Sequence, residues 1–149
     1  MLKIAHRGNV YGPKPELENS PEYLDKALSL GFDIEVDVWY TDNKFLLGHD
    51  SPQYKVSEQY LQDISINSWF HCKNFSAMNM LAKKFEGFNY FWQDSDRFSL
   101  TSKGYIWTNI HEKDFSDISV LVNLSKPDQE YINSTANVFG LCHDYVGSV

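Results

Sequence analysis

The chain has 149 residues, with 13 Lys and Arg against 20 Asp and Glu, giving a formal net charge of −7. That length suits one domain over residues 1–149, and 42% hydrophobic residues with 10 Phe, 9 Tyr and 4 Trp supply a core and argue against intrinsic disorder. The acidic balance, with no basic arm, speaks against nucleic acid as a partner, and no run approaches the ~20 apolar residues of a membrane span.

In chain order, Leu2–Ala5 reads as a strand. Its flank Met1–Arg7 shows no apolar signal-peptide core, so a cytoplasmic location is expected. Ser20 as N-cap and Pro21 at the first position open a helix, with Leu24, Ala27 and Leu28 on its apolar stripe and Gly31 at its end. Phe32–Tyr40 is a strand, Asp42-Asn43 a turn and Phe45–Leu47 a short strand. Ser57–Ile64 reads as a short helix and Trp69–Cys72 as a strand. Ser76 is expected to cap a helix with Met78, Leu81, Ala82 and Phe85 on one face, closed by Gly87. Phe88–Trp92, Tyr105–Thr108, Ile118–Val122 and Val138–Cys142 are further strands, and Pro127–Asn133 a helix. Cys72 and Cys142 make no disulfide framework and are expected to be buried thiols.

Strands alternating with helices indicate βα units and a mostly parallel sheet. Seven main strands in 149 residues leave about 21 per unit, against ~31 in a (β/α)₈ barrel. An open sheet fits that length more comfortably; a barrel requires crossover helices to be shortened or lost.

The chemistry concentrates at four places. In Phe32–Trp39 the side chains alternate, so Phe32, Ile34, Val36 and Val38 share one face and Asp33, Glu35 and Asp37 the other. Carboxylates two apart lie roughly 6.6–6.8 Å apart along a strand, close enough for both to reach one hard cation. The alternative is an amphipathic strand with a wet acidic face, but acids are poor strand formers and a parallel strand is covered on both faces. His6-Arg7-Gly8 follows the first strand, where parallel α/β folds carry their active sites. A His there moves protons near neutral pH and an Arg grips phosphate or carboxylate. His49-Asp50 follows the strand Phe45–Leu47 and offers a second imidazole. One group to deprotonate a nucleophile and another to protonate a leaving oxygen are what cleavage of a phosphate ester requires.

The order His6-Arg7-Gly8, Glu18-Asn19-Ser20, Glu35-Val36-Asp37 and His49-Asp50 resembles the glycerophosphodiester phosphodiesterase family, within the PI-PLC-like phosphodiesterase barrels, over roughly residues 4–50. Ile106–Asn109 and Phe139–Tyr145, the latter with Asp144 after a strand, resemble two later strands of the family. The resemblance implies a compact or incomplete TIM-like (β/α) barrel with helices shortened or missing in the second half. It implies His6 and His49 as general acid and base, Arg7 as a phosphate ligand, and Glu35, Asp37 and Glu18 around a divalent cation, Ca²⁺ or Mg²⁺. Where the family carries Glu-x-Lys on its third barrel strand, this chain has His71-Cys72-Lys73. Lys73 keeps a charge for the phosphate; His71 in the metal position opens Mn²⁺ or Zn²⁺. Trp107 is placed with the substrate.

The function so implied is hydrolysis of a glycerophosphodiester or similar small phosphodiester in lipid metabolism. Two alternatives stand beside it: a non-catalytic relative that binds a phosphorylated ligand or a metal, and a lyase or hydrolase acting on a lipid headgroup or sugar phosphate.

Overall fold

The computed structural model describes residues 1–110, 112–126, 129–135 and 137–149. The chain opens with β1 (Leu2–His6), followed by α1 (Pro21–Ser29), β2 (Asp33–Thr41), β3 (Lys44–Leu47) and β4 (Tyr54–Val56). Next come α2 (Glu58–Ile64), β5 (Ser68–Cys72), α3 (Phe75–Lys84), β6 (Asn89–Phe91), β7 (Phe98–Leu100) and β8 (Ile106–Thr108). The last elements are β9 (Ser119–Asn123), α4 (Gln129–Ser134) and β10 (Gly140–His143). Two 3₁₀ turns, Ser65–Asn67 and Val146–Ser148, lie outside the sequence reading. The first two residues of the expected Pro127–Asn133 helix lie outside the described residues.

Seven strands run parallel in the order β6-β5-β2-β1-β10-β9-β8. Among the described residues no ladder joins β6 to β8, yet Phe91 and Trp107 from these end strands stack at 4.4 Å. The sheet therefore curls back on itself and leaves a seam. Ser102 dresses the free edge of β6: its N–H donates to Tyr90 O at 2.8 Å, and its Oγ accepts from Tyr90 N–H at 3.0 Å. The result is an incomplete TIM-like barrel.

Side-chain alternation builds a core on each face of this sheet, with a smaller cluster of Leu121, Val138 and Leu141 beside them. Outward-facing Ile34, Val36, Val38, Phe70 and Cys72 pack under Leu24 and Ala27 of α1, Leu61 of α2 and Leu81 of α3. Each of the Ile, Val, Leu and Phe side chains among them contributes about 1.5–3 kcal/mol by leaving water. Inward-facing Ile4, Trp69, Phe91, Trp107, Val120, Val122 and Cys142 fill the ring. In the second half the β6–β8 crossover is the hairpin strand β7, and the described residues between β8 and β9 form no helix. This is how seven strands fit into 149 residues.

Local signals decide the element ends. Ser20 takes the N-cap backbone conformation before α1, but its side chain makes no capping bond; Gly31 closes the helix at φ 87°. In α3 the cap is Asn74, two residues before the expected Ser76, and its Oδ1 accepts from Ala77 N–H at 2.9 Å. Asn74 is favoured because its amide also pairs with the Tyr40 backbone, at 3.2 and 2.9 Å, and ties the helix to β2. The expected strand Phe45–Leu47 pairs antiparallel with the end of β2 through Asp42-Asn43, both at positive φ (50° and 58°), a type I′ turn. The sequence reading missed β4 and β7, each three residues and too short to show alternation.

Candidate active site

Strand register brings the chemistry together. Ladder partners set His6 beside Glu35 and Asp37 beside His71, all toward the carboxyl ends of parallel strands. Because Ile34, Val36 and Val38 face the helices, Glu35 and Asp37 face the opposite, inner side, where they are 2% and 0% exposed. Asp33, the third acid of that face, lies at the far end of β2 and accepts from Asn67 Nδ2 at 2.8 Å and Trp69 Nε1 at 3.1 Å. It takes no part in the site.

The turn after β1 is tightly specified. Arg7 sits in the left-handed region (φ 52°), and a Cβ on the following Gly8 would meet Tyr23 Cδ1 at 2.9 Å. Asn19, also left-handed at φ 63°, donates its backbone N–H to Arg7 O at 3.1 Å. Its side chain clasps Asp37: Nδ2 donates to Oδ2, and Oδ1 accepts from the Asp37 N–H, both at 2.9 Å. Two strained non-glycine residues, each costing on the order of 1–3 kcal/mol, are thus held by the loop that aims Arg7 at the acids.

His6 Nδ1 lies 2.7 Å from Asp144 Oδ1, which also accepts from Asn9 Nδ2 at 2.9 Å. A carboxylate on Nδ1 favours the proton there and leaves Nε2, 4.0 Å from Glu35 Oε2, as the free basic nitrogen. Burial raises the Asp144 pKa, but the hydrogen bond and charge of His6, together with Asn9 and Arg7, outweigh it and hold the carboxyl below its ordinary range. The sequence reading assigned Asp144 no role. Its signal was an Asp directly after the last apolar strand, 138 residues from its partner.

Glu35 Oε1, Asp37 Oδ1 and His71 Nδ1 converge, with His71 Nδ1 3.6 Å from Glu35 Oε1 and 3.1 Å from Asp37 Oδ1. Ligands on one ion at ~2.0–2.2 Å bonds sit about 2.8–3.6 Å apart, so this spacing suits a shared cation. Asp37 Oδ1 is buried and receives no aligned hydrogen bond, an acceptor that costs about 1–3 kcal/mol if left so. A cation would satisfy it. Without one, the countercharge comes from Arg7 (Nε 3.1 Å from Asp37 Oδ2), Lys73 (Nζ 3.7 Å from Oδ1) and His71. Burial works against an ionised Asp37, yet the His71 ring, Arg7 and Lys73 prevail and keep it well below the carboxylate range. Burial likewise opposes the charged form of His71, and the two acids overcome it, raising the pKa to about 9.

Glu18, expected beside the metal, lies outside that group. Its oxygens accept from Arg7 (3.1 Å) and Asn9 (2.8 Å), so it orients Arg7. Trp107, expected on the substrate, is 3% exposed and packs in the barrel interior. An inward side chain in the middle of a three-residue strand has only the core to enter. There it stacks on Phe91, which stacks in turn on His71 at 5.0 Å, so Trp107 supports the site from beneath.

His49 lies on the loop after β3. A Cβ on Gly48 (φ 150°) would meet Ser51 O at 2.2 Å, so only glycine fits there. The loop is pinned by Gly48 N–H to Asp37 O at 3.1 Å and Trp39 Nε1 to Gly48 O at 2.6 Å. His49 Nδ1 meets Asp50 Oδ1 at 2.7 Å, repeating the arrangement of His6 and Asp144. Both imidazoles, with Arg7, Glu18, Asn19, Asp50, Gln53 and Asp144, line one hollow of about 350 Å³. Glu35, Asp37, His71 and Lys73 do not line it directly; Arg7 and His6 connect them to it. The side chains of His71 and Lys73 keep some contact with solvent (16% and 17% exposed), so the acid pair is not sealed off.

Solved structures decide the fold. A glycerophosphodiester phosphodiesterase from Parabacteroides distasonis ATCC 8503 superposes with a TM-score of 0.52 at 11% identity, over 99% of this chain and 94% of that one. One from Thermotoga maritima gives 0.52 at 14% identity, over 99% and 96%. The chain has the glycerophosphodiester phosphodiesterase fold. No protein-family model matches it, and no curated protein matches its sequence. Among the described residues no helix is long and apolar enough to cross a membrane.

Proposed function

We propose that the chain is a metal-dependent phosphodiester hydrolase acting on a glycerophosphodiester or a similar small diester, with His6 and His49 as its acid–base pair. The observation that carries this reading is the hollow of about 350 Å³ that two carboxylate-bound imidazoles line, beside Arg7 and the Glu35–Asp37–His71 group.

In this scheme Asp144 and Asp50 each hold an imidazole by Nδ1, which leaves both Nε2 atoms for proton transfer. One imidazole takes the proton of the attacking hydroxyl as its oxygen bonds to phosphorus. The other gives a proton to the departing alcohol oxygen as the P–O bond breaks. Arg7, steadied by Glu18, and Lys73 bind phosphoryl oxygens. A divalent cation on Glu35, Asp37 and His71 would neutralise the phosphate and stabilise the charge of the transition state. Water or a hydroxyl of the substrate itself fits as the attacking group, the latter giving a cyclic phosphate.

The test is phosphorus NMR of glycerophosphocholine-type substrates and bis(p-nitrophenyl) phosphate. Turnover is expected, lost in EDTA and restored by metal, with His6→Ala and His49→Ala each roughly 10²–10⁴-fold slower. Undiminished turnover by both variants refutes the assignments. Binding of phosphate and metal without turnover across substrates would make the chain a non-catalytic relative, and a stable cyclic product would make it a lyase.

A further inference from the structure

His71 sets a nitrogen donor beside the carboxylates of Glu35 and Asp37. Its Nε2 lies 2.9 Å from Gln93 O. A carbonyl only accepts, so Nε2 keeps its proton, and Nδ1 is the nitrogen that faces Glu35 and Asp37 and offers its lone pair once an ion displaces the proton there. The ring cannot easily turn away, because it lies flat on Phe91 (interplanar angle 8°), which is itself stacked on Trp107. The nitrogen is therefore aimed before any ion arrives, in the way outer partners orient imidazole ligands of metals.

Oxygen is scarce at the same point. Asp37 Oδ2 is taken by Asn19 Nδ2 and faces Arg7, leaving Oδ1 alone to bind. Glu35 Oε2 accepts the Arg7 backbone N–H at 3.2 Å, leaving Oε1. Ca²⁺ takes six to eight oxygens and Mg²⁺ favours oxygen donors, whereas imidazole suits Zn²⁺ and Fe²⁺. Arg7 and Lys73, both beside Asp37, add positive charge that penalises an ion held by electrostatics alone. We propose that Glu35, Asp37 and His71 form a two-carboxylate, one-imidazole centre selective for a borderline transition ion of the Zn²⁺ type over Ca²⁺ and Mg²⁺. This rests on reading the three residues as the metal centre of the proposed hydrolase.

The test uses the full chain freed of metal by chelation and titrated calorimetrically with Zn²⁺, Co²⁺, Mg²⁺ and Ca²⁺. Proton NMR of the Co²⁺ form follows. Zn²⁺ and Co²⁺ are expected to bind at least about 100-fold tighter than Mg²⁺ and Ca²⁺. The Co²⁺ form should show a strongly shifted exchangeable resonance from the His71 Nε2–H, protected by Gln93 O. His71→Glu should remove that resonance and narrow the Zn²⁺/Mg²⁺ ratio at least about tenfold. His71→Asn, which adds no third carboxylate, should also remove it and serves if His71→Glu does not fold. Equal affinity for Ca²⁺ or Mg²⁺, an unchanged ratio in the variant, or a resonance that survives both substitutions overturns the inference. Binding of no ion at all overturns both it and the reading of the triad as a metal centre. The predicted ion order without any turnover would leave it standing and sink the hydrolase.

Discussion

Replacing Asp144 by Asn tests the acid–base scheme at the residue the sequence reading left without a role. The substitution keeps the shape of the side chain and removes its charge. It converts the 2.7 Å bond to His6 Nδ1 from a charge-assisted one to a neutral one. Hydrogen bonds to charged groups contribute about 1.5–3 kcal/mol against about 0.5–1.5 for neutral ones, and at ~1.36 kcal/mol per tenfold the difference of about 1–1.5 kcal/mol corresponds to a loss of roughly 5–13-fold in kcat/KM. If the Asn amide instead turns its NH₂ toward Nδ1, the His6 proton moves to Nε2 and the loss approaches ~10⁴-fold, as when a triad loses its aspartate. The assay is steady-state hydrolysis by the variant alone and in a His6→Ala background, with metal affinity measured alongside. In that background Asp144→Asn should cost nearly nothing, because the group it positions is gone. A variant within twofold of the parent, or one whose loss is undiminished when His6 is absent, refutes the positioning argument.

The metal-free protein should bind its ion with proton release, because His71 is protonated below about pH 9 when the acids lack a cation. Calorimetry at pH 7.5 in buffers of differing ionisation enthalpy should show close to one proton released per ion; none released would contradict the His71 assignment. The folded-state pKa lies above the unfolded ~6.5, so the stabilisation from charged His71 is complete below pH 6.5 and lost as pH rises through about 9. Denaturant midpoints in EDTA should fall across that window, and a midpoint that rises would show the opposite linkage. Gly48→Ala should destabilise the fold by more than about 1 kcal/mol, since its Cβ would meet Ser51 O at 2.2 Å. It should also slow hydrolysis roughly 10–100-fold by displacing His49, with metal affinity unchanged; normal turnover in a folded variant would show that the loop does not position His49.

The site was legible where chemistry follows local pattern. Alternation in β2 put Glu35 and Asp37 on the face away from the helices because apolar residues every second position had to meet them. His6 and Arg7 were found as polar residues following the first strand, and His71 through the resemblance, in the family's third-strand metal position. What stayed hidden depends on contacts far apart in the chain. Asp144 meets His6 only because β10 pairs with β1. Asn9 and Asn19 look like ordinary loop residues until their amides are seen holding Asp144, Glu18 and Asp37. Glu18 was placed with the metal and Trp107 with the substrate by analogy of position. Arg7 claims the first, and the inner face of a short strand claims the second. The strand count favoured an open sheet and only the family resemblance implied an incomplete barrel; the seam stayed hidden, since nothing in Asn89–Phe91 or Ile106–Thr108 signals that these two strands meet through stacked rings without a ladder.

The most direct test of a single metal and phosphate centre is anomalous diffraction from crystals soaked with Zn²⁺ and inorganic phosphate. One metal peak is expected among Glu35 Oε1, Asp37 Oδ1 and His71 Nδ1, with phosphate against Arg7 and Lys73 and within reach of His6 and His49. A metal held elsewhere with these three side chains unchanged, or phosphate bound away from both imidazoles, would contradict the account.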